Sequence, residues 1–438
     1  QASRRTMRGQ ALAAAALLTL AAILALTGGS LLVGFATLAA LLIGAALLLP
    51  AALATILRLA SRSARGPFAE WLFADTRQQL PGLSLALMAL MLALAANIGV
   101  STMVGSFRGT FLGWLDQRLA AELYVTAADA DEAARLTAWL EPRTTAILPI
   151  LSAEVTLAGR PGDLFGQADH PTFRENWPLL QSTPDAWDRL ASGEAVFVNE
   201  QIARFADLSL GDPLDLAPGL TLPIAAIYSD YGNPQAQAIV TLHRLSETFP
   251  DLSATRFALR VPPADAPALA SALREDFGLP PDAVINQAQV KRFSLDVFDQ
   301  TFRITGALNV LTLGVAGFAL LTSLLTLATM RLPQLAPVWA LGLTRAQLAR
   351  AELGRSLILA ALTFALALPV GLILAWVLLA IVNVEAFGWR LPMQLFPRDW
   401  LMLLALALVA AALAATLPAL RLARMPASRF LGVFTHER

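Results

Sequence analysis

Six stretches of this chain carry essentially no charge over membrane-crossing length: roughly residues 11–27, 31–57, 83–105, 304–330, 356–384 and 400–420. A helix needs about 20 apolar residues to cross ~30 Å of hydrocarbon. At ~1.5 Å of rise per residue the longest runs cover about 40 Å, enough to cross with tilt or to protrude. A soluble core can hide one such run, but six define an α-helical polytopic membrane protein. Composition agrees, with 56% hydrophobic and 15% charged residues, against roughly 45–50% and ~25% in soluble domains. This balance excludes a disordered chain, and the net charge of zero excludes a general pull toward nucleic acid. A cleavable signal peptide competes for 11–27, with Arg4, Arg5 and Arg8 ahead of it. The second apolar run immediately after Gly28-Gly29-Ser30 favours a transmembrane hairpin over residues 1–65 instead.

Arginine placement orients the spans. Arg4, Arg5 and Arg8 precede the first, and Arg58, Arg62, Arg65 and Arg77 follow the second. Arg331, Arg345, Arg350 and Arg355 lie between the fourth and fifth, and Arg421, Arg424, Arg429 and Arg438 follow the last. The short loop 385–399 on the other side holds only Arg390 and Arg398. By the positive-inside rule the large group is cytoplasmic. Both termini, including the tail 424–438, are then inside, and residues 106–303 form one domain outside. That domain holds 26 acids and 15 bases, a sign that lends little weight because long domains translocate regardless of charge.

Within 106–303 the pattern predicts a mixed α/β domain. A polar-faced helix over 106–121 continues the third span. Residues 122–127, 146–157, 195–198, 220–228, 238–242 and 255–261 read as strands, and 131–140 and 264–277 as helices. A helix over 287–303 leads back to the fourth span. The order β-α-β, an insertion at about 160–240 rich in Gly, Pro and Asp, then β-α-β suits a split βαβ layer plus insertion.

Catalytic chemistry is poorly supplied. There is no cysteine, and His170, His243 and His436 are far apart, without metal-ligand spacing. Lys291 is the only lysine and follows Val290, so no G-x-x-x-x-G-K-[ST] phosphate loop exists. Neither G-x-S-x-G nor H-E-x-x-H occurs. Asp129, Asp131 and Glu132 suggest a cation site at first sight, but acids at a helix start explain them better. Trp177 and Trp187 read as packing residues of the insertion, with ligand stacking as the alternative. No catalytic residue, metal site or cofactor is expected in this chain.

The informative inside segment is MRLPQLAPVWALGLTRAQLARAELGRSL, residues 330–357. Leu335, Val338, Trp339 and Leu341 share a helical face, Gly342 permits a sharp turn, and Thr344 is the N-cap of a second helix. A short helix lying along the membrane suits docking into a groove on a partner protein, or rests on lipid headgroups. Residues 66–82 read as an interfacial elbow helix, with Phe68, Trp71 and Leu72 on its lipid face. Among the spans Asn97, Asn309 and Asn383 stand out, with no Asp, Glu, Lys or His. Asn97 and Asn309 lie at similar depth and are a candidate interhelical contact. Gly314, Gly317 and Gly371 permit close helix approach.

These residues resemble a family, the MacB/LolC/FtsX-like permeases of type VII ABC transporters, and most closely the YbbP-like putative permeases. One span, a large outside domain and three further spans make that family's unit, here residues 83–420. The segment MRLPQLAPVWALGLTRAQLARAEL is similar to the family's R-x-x-E-x-x-x-x-x-A-L-G-x-[ST]-x-x-Q pattern. Arg331, Ala340, Leu341, Gly342, Thr344, Arg345, Gln347 and Glu352 stand at its recurring positions, and Gln334 stands where the family usually has Glu. GSFRGTFLGWLDQRLAAELYV (105–125), AVFVNEQIARFADLSLGDPLDL (195–216) and IYSDYGNPQ (227–235) resemble the YbbP-like subgroup. There a first copy of the unit and two linking helices precede a second copy. Residues 11–57 resemble the linkers, which makes the chain look like a C-terminal half. If it is instead complete, two copies of it would pair.

The resemblance implies a bacterial inner-membrane permease subunit partnered by a cytoplasmic ABC ATPase that binds the ATP, by a second permease half, by the lipid bilayer and by a candidate periplasmic protein. It implies coupling through residues 331–352 and mechanotransmission to the outside domain, acting on hydrophobic or lipid-anchored material. Spans without ionisable groups suit levers better than a hydrophilic conduit. One alternative is an FtsX-like scaffold that moves nothing and activates a periplasmic enzyme. A secondary transporter would show inverted repeats and buried ionisable groups; Pro369 and Pro418 fall in spans, but no repeat pairs them.

Overall fold

A computed structural model describes residues 2–62, 66–231, 233, 235–330, 338–340 and 342–424. Arg331, Gln334, Leu335, Leu341, His436 and the tail beyond Arg424 lie outside the described residues. The chain divides into a helical unit (Gln1–Ser106, Phe302–Glu385 and Pro392–Arg438) and a lobe (Phe107–Thr301 with Ala386–Leu391).

Along the chain come α1 (Ala2–Thr27), α2 (Leu31–Ser61), α3 (Pro67–Arg118), β1 (Leu123–Thr126), α4 (Ala130–Leu140), β2 (Ala146–Leu157) and β3 (Arg160–Gln167). Next are α5 (Pro171–Arg174), β4 (Leu179–Ser182), α6 (Ala186–Ala191), β5 (Val196–Asn199), α7 (Glu200–Phe205), β6 (Pro213–Ala217), β7 (Leu220–Tyr228) and β8 (Ala236–Thr241). They are followed by α8 (Leu242–Thr248), β9 (Arg256–Arg260), α9 (Ala266–Glu275), β10 (Val284–Asn286) and α10 (Gln287–Met330). The last are α11 (Arg345–Val377), a π-helical turn Leu378–Val382, α12 (Asn383–Phe387) and α13 (Pro397–Ala423).

Among the described residues six helical segments are long and apolar enough to cross a membrane, in α1, α2, α3, α10, the run from α11 to Phe387, and α13. Leu83, Leu87, Leu90, Leu94 and Ile98 of α3 recur at three- and four-residue spacing and are all buried, the stripe a helix needs to pack against neighbours. They share one core with Leu49, Leu53 and Leu57 of α2, Leu313 and Leu320 of α10, and Ala407, Ala411 and Ala415 of α13. On the opposite side α10 exposes Leu308, Leu311, Val315 and Phe318, an apolar face that hydrocarbon tolerates and water does not.

The expected boundary between an elbow helix and the third span is absent. Residues 67–118 form one helix with Pro81 inside it. A proline removes one backbone hydrogen bond, and a packed helix tolerates that loss when its neighbours hold it in line.

In the lobe the strands run in the order β10-β1-β9-β2-β3-β8-β5-β7-β4, with β6 on β7. The segments β1-α4-β2 and β9-α9-β10 are two split βαβ halves whose strands interleave antiparallel. Their core is Leu123, Val125, Leu136, Leu140, Leu259 and Leu273. Everything from β3 to β8 is the insertion, which extends the same sheet through the parallel pairs β3–β8 and β5–β7. It joins through the β2–β3 hairpin, where Ala158 and Gly159 both take positive φ (46° and 80°), as a tight two-residue turn demands.

Candidate functional site

The pattern-bearing segment of the helical unit begins its second helix as expected. Gly342 has φ +105°, the left-handed region where glycine carries no steric cost. Thr344 then caps α11. Its Oγ1 accepts from the Gln347 backbone N–H (3.2 Å), and Gln347 Oε1 accepts in return from the Thr344 N–H (2.8 Å). This reciprocal pair satisfies two donors that a helix start leaves open. Arg345, at the first position of α11, is exposed. Leu348, one turn on, is buried against Leu422 of α13, with Trp71, Val338, Trp339 and Leu343 packed around it. The turn is therefore anchored to the N-terminal part of α3, the former elbow. There Phe68 is half exposed and meets Trp71 at 5.8 Å, and Leu72 is half-buried.

A charge cluster behind this anchor was not visible in the sequence. Arg355 of α11 is 2% exposed and donates from Nη1 to Asp75 Oδ2 of α3 at 3.0 Å, and from Nη2 to Glu352. Gln79 Nε2 also donates to Asp75 Oδ2, at 2.7 Å. Asp75 and Gln79 are themselves buried. Glu352 was singled out for its pattern position; the structure makes it one of two acids around a buried guanidinium. The missed signal was Asp75. It sits on the stripe Phe68, Trp71, Leu72, Asp75, Gln79, where a face meant only for lipid has no use for a carboxylate.

At mid-helix Asn97 bridges α3 and α10. Its Nδ2 donates to Thr312 Oγ1 at 3.1 Å and to the Asn309 backbone carbonyl at 3.5 Å. The side-chain partner is thus Thr312, one turn along α10, and Asn309 takes part through its backbone carbonyl. The three glycines separate. A Cβ on Gly371 would lie 2.7 Å from the Ile98 side chain and 2.9 Å from the Ala95 carbonyl, and one on Gly317 3.3 Å from Ala410 Cβ, whereas Gly314 has open space. Asn383 is buried at the end of the π-helical turn.

In the lobe the three subgroup-like stretches meet at one hydrogen-bonded node. Asn199 caps α7 through Ile202 N–H and also binds the Gln235 carbonyl and Gln237 N–H. Gln201 Nε2 donates to the carbonyls of Asp230 (2.5 Å) and Asn233 (2.7 Å). Trp114 Nε1 donates to the Ser229 carbonyl at 3.0 Å, and Arg118 lies 3.7 Å from Asp230. Glu200 accepts from the Arg390 backbone N–H and from Arg204. Backbone carbonyls of a largely buried loop (Ser229 and Asp230 are each 3% exposed) are satisfied here by side chains, which makes these residues structural.

Asp129 caps α4 by accepting from Glu132 N–H, and Glu132 accepts from Ala128 N–H, so the acids serve the helix start. Among the described residues no cluster of metal-ligating side chains occurs. His170 caps α5, and His243 pairs with Glu247 on the surface. Trp187 packs edge-on against Phe197, and Trp177 against Phe173 and Tyr228. Burial pushes the Tyr124, Tyr228 and Tyr231 phenols above their ordinary value, so they stay neutral.

Residues 306–427 match the FtsX-like permease C-terminal family. Over 393 residues the chain is 30% identical to an uncharacterized ABC transporter permease protein of Mycobacterium tuberculosis, covering 84% of this chain and 46% of that one. The chain thus spans about half the length of the curated relative it matches. Two solved structures are similar to part of it. The periplasmic region of MacB from Actinobacillus actinomycetemcomitans is 14% identical and covers 40% of this chain and 94% of that one, at a TM-score of 0.29. The extracellular domain of the noncanonic ABC-type transporter YknZ from Gram-positive bacteria is 14% identical and covers 38% and 98%, at a TM-score of 0.27.

Proposed function

This chain carries the FtsX-like permease domain of ABC transporter permeases, and from that premise we propose that it is the membrane subunit of an ABC machine whose ATP is hydrolysed on a separate cytoplasmic subunit. It sits in a bacterial inner membrane with both termini inside and works beside a second permease half, either an upstream copy of the unit or a second chain. The ATPase pushes the segment 331–352. Helices α3 and α10 carry the movement to the lobe outside, which acts on hydrophobic or lipid-anchored material by mechanotransmission.

The observation that supports this most is the anchoring of the capped turn at Gly342–Gln347. Leu348 seats it on Trp71 and Leu422, and Arg355 ties α11 to Asp75 of α3. A handle pushed from inside needs such a joint, because coupling travels through rigid packed elements and not through loose loops. The test is co-purification with the cognate ATPase, and its turnover, for Gly342→Val and Arg345→Glu. Arg345 is exposed, and an unchanged thermal midpoint of Arg345→Glu separates an effect on docking from one on folding. ATPase stimulation should fall about tenfold, the size of one lost contact of ~1.4 kcal/mol. An unchanged complex with unchanged turnover overturns the coupling role. Normal coupling with no substrate movement but activation of a hydrolase outside would instead favour the scaffold reading.

A further inference from the structure

On the lobe, β2, β3 and the β6–β7 hairpin border an open groove of about 1040 Å³, above the roughly 300–1,000 Å³ typical of small-molecule sites. Its apolar surface comes from Val155 and Phe249, half-buried, and from Pro161 and Pro218, exposed. Its charge is all of one sign: Glu154, Asp163 and Asp215 line it, and no arginine or lysine does. The other polar side chains, Thr156, Thr221 and Gln235, are neutral, and the Thr221 hydroxyl donates to Asp215 at 2.6 Å. Register sets two of the acids against each other. Leu157 pairs with Arg160 across the two-residue turn of the β2–β3 hairpin, which places Glu154 directly opposite Asp163. Alternation from that hydrogen-bonded closing pair makes theirs a non-hydrogen-bonded pair, where side chains come closest. Like charges in that position destabilise a sheet. Arg256 reaches the same face from β9, but it donates to Ser152 at 3.0 Å, and among the described residues neither acid forms an ion pair. The three acids do not gather around one point, since no cluster of metal-ligating side chains occurs among the described residues. Negative charge spread along a groove with apolar surface between fits cations spread along an apolar body.

We propose that this groove docks a basic segment of a partner polypeptide, its arginine or lysine side chains meeting Glu154, Asp163 and Asp215 and its apolar side chains lying on Val155 and Phe249. A cation between Glu154 and Asp163 relieves the repulsion that the free hairpin carries. That the partner is met outside the membrane rests on the permease reading; binding does not, so the experiment reads binding without ATP or ATPase.

The full chain in phosphatidylcholine nanodiscs is titrated into a short fluorescent peptide that alternates arginine with leucine, with anisotropy as the readout and empty nanodiscs as the blank. Binding should weaken as salt rises, and a peptide alternating glutamate with leucine should not compete. Glu154→Gln and Asp163→Asn should each weaken binding about tenfold without lowering the thermal midpoint, because each removes one of two like charges. Glu275→Gln at the end of α9, which does not line the groove, should leave binding unchanged. Binding that survives both acid substitutions, falls equally with Glu275→Gln, or is lost only where the thermal midpoint falls too, overturns the site. Spermine or calcium competing as well as the unlabelled arginine–leucine peptide overturns the polypeptide occupant.

Discussion

Arg355 shows what a single residue can hide. Counted along the chain it is one more arginine on the inward side, indistinguishable from Arg345 or Arg350. In three dimensions it is 2% exposed between Asp75 and Glu352, and its main partner is 280 residues away. Charge counting sees the sign of a residue and not its burial, and no local pattern links positions that far apart. Removing one member of a buried ion pair leaves the other uncompensated, at a cost of about 3–5 kcal/mol, whereas replacing both with apolar residues is often neutral. Arg355→Leu should therefore lower the thermal midpoint in detergent sharply, and Asp75→Leu added to it should recover part of the loss, the remainder staying with Glu352, which loses the same guanidinium. An additive double variant would show that the two do not interact. At the lobe surface the Arg174 hydrogen bond holds Asp169 below its ordinary value near 3.8. A lowered folded-state pKa adds stability that is present above the unfolded value and lost as pH falls through the folded one. Asp169 is half exposed, so solvent screening keeps the effect small. Asp169→Asn should slightly flatten the acid limb of a stability-against-pH curve below about pH 4 and leave neutral stability nearly unchanged.

Elements were legible where their side chains declare a face. Residues 146–157 and 220–228 read as strands and are β2 and β7 to the residue, because apolar and β-branched residues dominate them. Strand β3 was invisible, since RPGDLFGQ has the composition of a turn. Its glycines are there for contact: a Cβ on Gly162 would strike the Ala236 carbonyl, and one on Gly166 would lie 3.2 Å from Leu242 Cα. Close backbone approach explains glycine in a central strand, and that neighbour cannot be read from β3 itself. The same reasoning grades the span glycines. Gly371→Leu should separate α11 from α3 and cost about 1–3 kcal/mol in overpacking, while Gly314→Ala, with open space around it, should gain up to ~1 kcal/mol from helix propensity. Thermal unfolding of both variants checks the pair, and equal effects would mean that the α3–α11 contact at Ile98 is not tight. Thr344→Ala, which removes the reciprocal cap, should cost about 0.5–2 kcal/mol locally and be read as faster hydrogen exchange over the first turn of α11.

For the whole molecule, the six-span layout was readable because hydrocarbon permits few solutions, every backbone group having to be satisfied within a helix or a closed barrel, and the split βαβ lobe because its strands and helices alternate in apolar period. Sidedness rests on arginine placement, and the burial of Arg355 removes one member from the set that can face headgroups. The chain itself supplies a clean test. It contains no cysteine, so any introduced thiol is the sole site for a maleimide. Ser192, just after α6 in the lobe, and Ala346, in the first turn of α11, are both exposed. In spheroplasts treated with a membrane-impermeant maleimide, Ser192→Cys should label at once, and Ala346→Cys only after the membrane is opened. The permease reading needs that opposition, since ATP lies on one side and the lobe's material on the other. Equal labelling of the two before permeabilisation would put the coupling turn and the lobe in the same compartment, leaving the motor nothing to push across the bilayer.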